Sequence, residues 1–425
     1  MFESTAESRT QMLRASFEGY EGPAFSVRFW DGWTWCSSAS RGPECTIVLN
    51  NANAIRKLVA VPNEITLGEA FIRGDVDVEG DLFSVFPAAE HLFNRPRPIA
   101  QKILEKLANT GFAAGQWLRH GALNSQRRDR ASITYHYDRP VAFYRPWLGP
   151  SMAYSCAYFR TMNDTLEEAQ RQKLDLICRK LRLEPGERFL DIGCGWGSLV
   201  MEAARRDAFA QGITLSREQA ETAQRRIQEA GCGSLCRVEL RDYRRMAETG
   251  QHFDKIASVG MYEHVGLQNL PLYFGMASRL LKPGGLFLNH GIARASHSPV
   301  RTSSFISRFV FPDGKLVTLP ETIAIAESQG FEVRDVECLR EHYELTLRRW
   351  VGALRTHAEE LLKQVSAVTY RIWLLYLAGS AAAFRRGDIG VYQVLLSKPD
   401  RGQARLPLTR EDLYRELDRP EEVAV

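Results

Sequence analysis

Residues 189–199 constrain the fold of this chain more than any other segment, because they read FLDIGCGWGSL. Gly193, Gly195 and Gly197 alternate with other residues between an apolar stretch that ends in Asp191 and the start of a helical pattern. Glycines let the backbone turn tightly and approach a ligand closely, and the first N–H groups of the following helix can donate to it. The segment predicts a strand, a nucleotide-binding turn and a helix. A plain strand-to-helix turn is the alternative.

The next predicted strand distinguishes between classes of nucleotide. Enzymes that bind dinucleotides place an acid about 20 residues after the glycine loop, where it holds the ribose. This chain has residues 211–219, QGITLSREQ, in that place, with no acid at the strand end. Further strand and helix patterns alternate after it, including a candidate strand at residues 253–259. The alternation predicts an α/β domain with a binding site, and an α/β domain with a vestigial site is the alternative.

The composition bounds the class of protein and its partners. The chain has 425 residues, of which 44% are hydrophobic and 25% are charged, so it is long enough for two globular domains. The formal net charge of +4 is too small to imply a nucleic-acid partner. Eight cysteines without paired spacing favour a reducing cytosol and no metal site, and the first residues lack the layout of a signal peptide.

Three regions are predicted along the chain. Residues 1–92 form a small N-terminal domain, in which residues 65–82 combine a helical patch, a turn and the period-two alternation of a strand. Residues 93–130 form a basic helical linker, whose eight Lys or Arg and two acids fit anionic lipid headgroups or simple solvation equally well. Residues 131–425 form the main domain. The apolar run 372–384 favours a buried core helix over a membrane-facing one, and it is too short to cross a bilayer.

Polar side chains follow the predicted strands at the edge where ligands bind in doubly wound folds. Glu263 and His264 come after the strand at residues 253–259, and His290 ends the next strand. Tyr343 lies in a later polar cluster. Each also has a structural explanation: Glu263 as a helix-start acid, His290 as a hydrogen-bonded core histidine and Tyr343 as a surface aromatic. Their joint occurrence favours a reaction site.

Several motifs in combination identify a family resemblance. The motifs are YSCAYF at residues 154–159, LDIGCGWG at 190–197, GITLS at 212–216 with Gln219, YEHVG at 262–266, and His290 with Ile292. They resemble the cyclopropane fatty acyl phospholipid synthase family, which is similar to the mycolic acid cyclopropane synthases. The resemblance implies an α/β fold, namely a Rossmann-like class I methyltransferase domain with a mainly parallel seven-stranded sheet and helices on both faces. It also implies a smaller α/β lipid-handling domain in front of it.

The resemblance implies two small ligands, S-adenosylmethionine as the methyl donor and bicarbonate. Carried over by motif, the bicarbonate and catalytic residues are Cys156, Glu263, His290, the backbone of Ile292, and Tyr343. The expected methyl-donor residues are Tyr154, Ser155, Asp191, Gly193, Cys194, Gly195, Gly197, Thr214, Leu215, Gln219, Asp242 and Tyr243. The aromatics expected to face a substrate cation are Tyr137, Tyr158 and Tyr262. No metal is expected.

The resemblance also implies the substrate and its location. The front domain, with residues 74–82, is similar to the domain that the phospholipid enzymes carry, which favours an unsaturated phospholipid over a carrier-bound acyl chain. We therefore expect a homodimer at the inner face of the cytoplasmic membrane, held peripherally. The chain departs from the family at residues 139–144, RPVAFY, where a polar run is usual. The geometry of the cap formed by the aromatic segment around residues 135–159 is expected to differ, unless that segment is only a packing cluster.

The implied chemistry is attack of an alkene on an activated methyl group. An alkene is a poor nucleophile, so it must be oriented in a dry pocket. The resulting carbocation can be stabilised by aromatic faces, and a held base must remove one proton for the ring to close. Two alternatives remain open, a relative that leaves a methyl branch or a methylene group, and a lipid-binding protein whose methyltransferase domain is silent.

Overall fold

The computed structural model describes residues 5–52, 54–55, 63–95, 139–298, 305–311 and 316–414. The chain divides into two compact units. The small-sheet unit comprises Met1–Trp147, His297–Gly314 and Tyr343–Ile389, and the large-sheet unit comprises Leu148–Ser296, Lys315–His342 and Gly390–Val425. Most of the predicted linker at 93–130 lies outside the described residues, so the boundaries near residues 92 and 130 stay predictions.

The described elements are numbered here along the chain. The strands are β1 (Phe25–Arg28), β2 (Thr34–Cys36), β3 (Cys45–Leu49), β4 (Val76–Gly80), β5 (Arg188–Ile192), β6 (Phe209–Thr214), β7 (Cys236–Leu240), β8 (Phe253–Val259), β9 (Leu281–Arg294), β10 (Glu332–Cys338) and β11 (Ile389–Ser397). The α-helices are α1 (Ala6–Ser16), α2 (Glu64–Ile72), α3 (Val85–Phe93), α4 (Val141–Leu148), α5 (Leu166–Lys180), α6 (Ser198–Ala204), α7 (Arg217–Glu229), α8 (Leu270–Leu280), α9 (Phe305–Phe309), α10 (Leu319–Ser328), α11 (Arg340–Thr356), α12 (Ala358–Leu361), α13 (Ala367–Arg386) and α14 (Glu411–Tyr414).

The small-sheet unit contains a four-stranded sheet in the order β2-β1-β3-β4. Strands β1 and β3 are parallel, and the other two neighbouring pairs are antiparallel. Burial alternates along β3, so one face of the sheet covers a core with α1 and α3. The helix α2 and the strand β4 confirm the pattern predicted for residues 65–82.

The helix α13 is the longest of the described helices in the small-sheet unit. It begins where the Ser366 hydroxyl accepts from the Thr369 amide at 3.1 Å and ends at Gly387, whose φ is +77°. With 20 residues it is the one described helix that is long and apolar enough to cross a membrane, so the expectation that this segment is too short is wrong. Nearly half of it is buried inside the unit, and Arg371 donates to the carbonyls of Phe71 and Val76. These contacts agree with the predicted core helix.

The large-sheet unit is built on a seven-stranded sheet in the order β10-β11-β9-β8-β5-β6-β7. The five strands from β9 to β7 in this order are parallel, whereas β10 and β11 pair antiparallel. The central strands β5, β6 and β8 are nearly continuous runs of buried residues, as in sheets covered on both faces. The architecture confirms the predicted class I methyltransferase fold.

Helices cover both faces of the large sheet. Phe189 packs in one core cluster with side chains of α5 and α6, and its neighbour Leu190 packs in the other cluster with side chains of α8. Successive residues of a strand point to opposite faces, so these two assignments place one helical layer on each side. The strand order changes direction between β5 and β8, since β6 and β7 lie on one side and β9 on the other. In doubly wound folds the crevice at such a switch point holds the ligand.

Candidate functional site

The glycine loop joins β5 to α6 at the switch point. Gly193, Gly195 and Gly197 have φ values of +81°, +53° and +84°, a region that residues with a side chain rarely adopt. A Cβ atom at Gly193 would also lie 2.8 Å from the Met261 side chain. The amides of Gly193 and Cys194 both donate to the carbonyl of Ile213, which binds the loop to β6. The predicted strand, turn and helix are therefore confirmed.

Asp191 places a buried carboxylate directly before this loop. Its side-chain atom Oδ1 is buried and has no hydrogen-bond partner among the described residues. Burial raises the pKa of Asp191 to about 7, and the nearby ammonium of Lys173 opposes that rise. An unpaired buried acceptor is costly, so it indicates a position kept for a ligand that donates a hydrogen bond or carries positive charge.

The ends of β6 and β7 supply the other expected methyl-donor residues. The Thr214 hydroxyl donates to Oε1 of Gln219 at 2.8 Å, which holds the Gln219 side chain against the end of β6. Ser216 caps α7 by accepting from the amide of Gln219. Leu215, between Thr214 and Ser216 in the chain, is half-buried. The carboxylate of Asp242 accepts from the amide and guanidinium of Arg244.

The phenol ring of Tyr243 packs edge-on against Tyr273, with ring centroids 5.7 Å apart. Tyr243 is therefore a core side chain beside the loop, and the carboxylate of Asp242 is already paired. Their part in binding the donor stays a prediction.

Glu263 lies in the turn Tyr262–His264 that follows β8. Its Oε1 accepts a hydrogen bond of 2.7 Å from the amide of Ile292, while Oε2 is buried and has no partner within the described chain. Burial raises the pKa of Glu263 to about 7, and the hydrogen bond from Ile292 opposes the rise. The Ile292 amide therefore donates to Glu263 itself. One carboxylate oxygen of Glu263, Oε1, is hydrogen-bonded, and the other, Oε2, has no described partner.

His290 lies inside β9, which continues to Arg294, so the prediction that it ends the strand is wrong; the residue is buried. The amide nitrogen of Gln393 lies 3.1 Å from Nδ1, so with this nitrogen donating, the neutral ring carries its proton on Nε2. That Nε2 atom has no partner in the part of the chain that the structure describes. Burial lowers the pKa of His290 to about 3, helped by Lys173 and Lys180, so the ring is neutral and a donor at neutral pH.

Residues 154–158 approach the site from the segment before α5. Cys156 is fully buried, with Sγ 3.2 Å from the carbonyl of Ala157 and 3.7 Å from that of Leu339. The ring of Tyr158 stacks on His342 at 4.8 Å. Tyr154 is half-buried. The segment is fixed by α5, because Gln170 donates to the carbonyl of Ser155 at 3.0 Å.

The remaining predicted aromatics have separate environments. Tyr262 is buried and donates to the carbonyl of Ile292 at 2.9 Å, and a Cβ atom at Gly291 would meet its ring, so it packs flat on β9. Tyr343 belongs to the small-sheet unit, where its ring packs on Phe384 with centroids 4.7 Å apart. Tyr137 lies outside the described residues. The roles of these three tyrosines stay predictions.

Sequence reasoning missed Lys173. It is buried in α5 and donates to the hydroxyl of Ser155 at 2.9 Å. Burial lowers its pKa to about 8. The helical period carries a signal, because Lys173 falls on the same buried face as Leu174 and Ile177. A lysine on an apolar helix face needs a partner or a ligand, which periodicity alone does not name.

The arrangement groups acceptors and donors around one sheet edge. Asp191 and Glu263 each offer an oxygen, His290 offers an N–H, and Lys173 offers an ammonium. Within the described ranges no group of three or more His, Cys, Asp or Glu side chains is placed to hold a metal ion. The chemistry that fits is binding of a small ligand with both donor and acceptor atoms, beside a nucleotide loop.

Comparison with known proteins agrees with this geometry. The model of the family "Mycolic acid cyclopropane synthetase" matches residues 124–394, and that of a domain of unknown function matches residues 10–93. A probable fatty acid methyltransferase of Pseudomonas putida is 40% identical over 397 residues, which cover 92% of this chain and 96% of that protein.

Cyclopropane-fatty-acyl-phospholipid synthase of Escherichia coli K12 is 38% identical over 278 residues, which cover 65% of this chain and 70% of that protein. The structure of mycolic acid cyclopropane synthase CmaA1 complexed with SAH and CTAB superposes with a TM-score of 0.59 at 34% identity, over 63% of this chain and 97% of that one. The family resemblance derived from the motifs is confirmed.

Proposed function

The chain belongs to the mycolic acid cyclopropane synthetase family of S-adenosylmethionine-dependent methyltransferases, and from this premise we propose that it closes a cyclopropane ring on an unsaturated acyl chain of a membrane phospholipid. The one-carbon unit comes from S-adenosylmethionine and adds to a cis double bond. The observation that carries the proposal is a pair of buried atoms without a described hydrogen-bond partner, Oε2 of Glu263 in the turn after β8 and Nε2 of His290 in β9.

These two atoms fit a bicarbonate ion. Oε2 of Glu263 can accept from the hydroxyl of bicarbonate, and the N–H of His290 can donate to one of its other oxygens. When bound, bicarbonate would supply the base that removes the surplus proton of the transferred carbon. Glu263 itself is held by the Ile292 amide and is half protonated near pH 7, which suits a positioning acceptor better than a free base.

The glycine loop and its neighbours fit the methyl donor. The positive φ values of the loop expose backbone N–H groups, and Oδ1 of Asp191 is an acceptor for the donor's ammonium group. Gln219 and Thr214 stand at the end of β6, where nucleosides lie in this fold. S-adenosylmethionine supplies an activated methyl group when it is bound there.

The chain's own residues must orient the alkene, exclude water and stabilise charge. Orientation in a dry pocket supplies several kcal/mol toward attack by a weak nucleophile. Attack leaves a positive charge on the acyl chain. The rings of Tyr158 and Tyr262 are the described aromatics we assign to stabilise it, at about 1–2 kcal/mol for a desolvated cation–π contact.

Three observations support the proposed substrate and location. A domain model covers residues 10–93 in front of the catalytic match, and the Escherichia coli relative is named for a phospholipid product. The eight basic residues between positions 93 and 130 fit anionic headgroups as well as they fit simple solvation. We therefore place the protein at the inner face of the cytoplasmic membrane, peripherally bound and as a homodimer.

The test is incubation of the purified protein with vesicles of monounsaturated phospholipid, labelled S-adenosylmethionine and bicarbonate. We expect label in the fatty esters and ring protons at unusually high field in their NMR spectrum. A protein that binds S-adenosylmethionine by calorimetry but leaves the lipids unlabelled would be a silent module, contrary to the proposal.

A second product is favoured by one observation. The relative that is similar over 92% of this chain is named a probable fatty acid methyltransferase. Loss of a proton from a neighbouring chain carbon would leave a methyl branch on a double bond, and a hydride shift followed by loss of a proton from the transferred carbon would leave a methylene group, in each case instead of a ring. The same NMR spectrum decides, because these products show methyl doublets or olefinic protons and no high-field ring signals.

A further inference from the structure

Lys173 is a buried cation whose charge no carboxylate contacts directly among the described residues. Its side chain is 2% exposed, and its ammonium donates to the hydroxyl of Ser155 at 2.9 Å. An ammonium has three N–H donors. Within the described chain this is the one hydrogen bond that it makes, so donor capacity remains.

A second lysine on the same helix, Lys180, is a buried cation that is paired within the protein. Lys180 is also fully buried in α5, but it lies 3.4 Å from Oδ2 of Asp335 and contacts the carboxylate of Glu337. Two acids neutralise it inside the unit. A buried charge that lacks such pairing costs several kcal/mol, so Lys173 needs a compensating group.

The position of Lys173 points to a ligand as that group. Its charge acts on Cys156 and Asp191, and it contributes to the lowered pKa of His290. It therefore lies within electrostatic range of both the donor-binding acid and two of the predicted anion ligands. The neighbouring Ser155 is fixed by Gln170, so the ammonium is held in place.

The charge balance of the site favours a cation there. Of the predicted site residues that the structure describes, none is positively charged at neutral pH, since His290 is held neutral. Asp191 and Glu263 are acids. An anion bound beside two acids in a buried site is unfavourable without a positive charge nearby. Lys173 supplies one.

We propose that Lys173 binds a carboxylate-type anion in this pocket, together with the hydroxyl of Ser155. Two groups are anions of this type, the α-carboxylate of S-adenosylmethionine and the free bicarbonate ion. The identity of both ligands rests on the proposed function. The assignment adds Lys173 to the ligand-binding residues, none of which the motifs place on α5.

Calorimetry without any acyl lipid tests this assignment. The probes are S-adenosylmethionine, decarboxylated S-adenosylmethionine and sodium bicarbonate, each titrated into wild-type protein, Lys173→Met, Lys173→Arg and the control Arg171→Met. Arg171 is an exposed cation on the same helix, so its loss should leave every affinity unchanged. Lys173→Met should weaken one carboxylate-type probe about tenfold or more, and Lys173→Arg should restore part of the loss.

The pattern across the probes separates the two sources. Weaker binding of S-adenosylmethionine with unchanged binding of its decarboxylated analogue assigns Lys173 to the α-carboxylate. Weaker binding of bicarbonate alone assigns it to the free ion. Wild-type affinities for all three probes in Lys173→Met overturn the proposal.

A measurement on wild-type protein covers the case in which Lys173→Met does not fold. With 15Nζ-labelled lysine, one buried ammonium resonance should shift on addition of the probe, and no shift overturns the assignment. Because no lipid is present, the result is independent of the product. A protein that binds the donor but never modifies phospholipid contradicts the proposed function and leaves the Lys173 result standing on its own.

Discussion

Two buried charged clusters in the large-sheet unit differ in how completely their charges are paired. In the first, Lys180 contacts the carboxylates of Asp335 and Glu337, and no ligand is needed. In the second, Asp191 and Glu263 each keep one buried oxygen without a described partner. The contrast teaches that a buried charge in direct contact with an opposite charge can belong to the scaffold, whereas a buried acid that lacks such a contact within the described residues points to a ligand.

The largest expected effect is on turnover in Glu263→Gln. Glutamine keeps an oxygen for the Ile292 amide but can place an NH2 group where Oε2 now accepts. We expect the rate of lipid modification to fall about 10²–10³-fold, as for loss of one preorganised catalytic contact, with S-adenosylmethionine affinity nearly unchanged. Steady-state kinetics with calorimetry measures both.

The matched control for that variant is Glu337→Gln in the paired cluster. It should keep its rate within about threefold, since Glu337 contacts Lys180 and no predicted ligand. Equal losses of rate in the two variants would remove the distinction between scaffold and site.

The paired cluster should instead control stability. Lys180→Met leaves Asp335 and Glu337 without their shared buried cation, so the free energy of unfolding should fall by about 3 kcal/mol. Urea unfolding measures this, and calorimetry on the folded fraction should give the wild-type affinity for S-adenosylmethionine. A stable variant with weakened donor binding would place Lys180 in the site, against the account.

Asp191→Asn tests the donor side of the incomplete cluster. The amide has nearly the same shape but no charge for the donor's ammonium group, so affinity for S-adenosylmethionine should fall about tenfold. Asp242→Asn is the matched comparison, because its carboxylate is already bound by Arg244. If Asp242→Asn weakened binding more than Asp191→Asn, the unpaired Oδ1 of Asp191 would not mark the position of the donor's ammonium group.

The last expected effect is a pH dependence of stability. Burial raises the pKa of Glu263 from 4.5 when unfolded to about 7 when folded, so the folded state holds the proton more tightly. Its contribution is fully present below pH 4.5 and is lost as the pH rises through about 7. Glu263→Gln should therefore match wild type near pH 4 and exceed it by about 3 kcal/mol above pH 7 in urea unfolding, because each unit of the pKa difference corresponds to about 1.4 kcal/mol. A gap that is constant with pH would mean that this carboxyl does not titrate.

The sequence predicts the fold and the location of the site because both depend on local pattern. The glycine loop requires positive φ values, Glu263 follows the apolar strand β8, and His290 pairs in β9 with Val259, the last residue of β8. Pairing across the fold is not local. The binding of Asp242 by Arg244, of the Ile292 amide by Glu263, and the absence of a described acid beside Lys173 depend on tertiary neighbours that periodicity does not specify.

The sequence also did not predict how the chain divides into two units. Residues 343–389 group with the N-terminal strands rather than with the large sheet, although they follow it in the chain. The apolar run at 372–384 predicts a buried helix, but not that Arg371 would bind the carbonyls of Phe71 and Val76. Apolar periodicity indicates that a face is buried and leaves open which segment covers it.

The most direct test of the account uses S-adenosylmethionine with a trideuterated methyl group, bicarbonate and vesicles of monounsaturated phospholipid. Mass spectrometry of the released fatty esters counts the deuterium retained, and NMR locates it. The account expects two deuterons on a ring carbon at high field, because one is removed as the ring closes. Three retained deuterons on a methyl branch, or lipids without deuterium while the donor is bound, would contradict it.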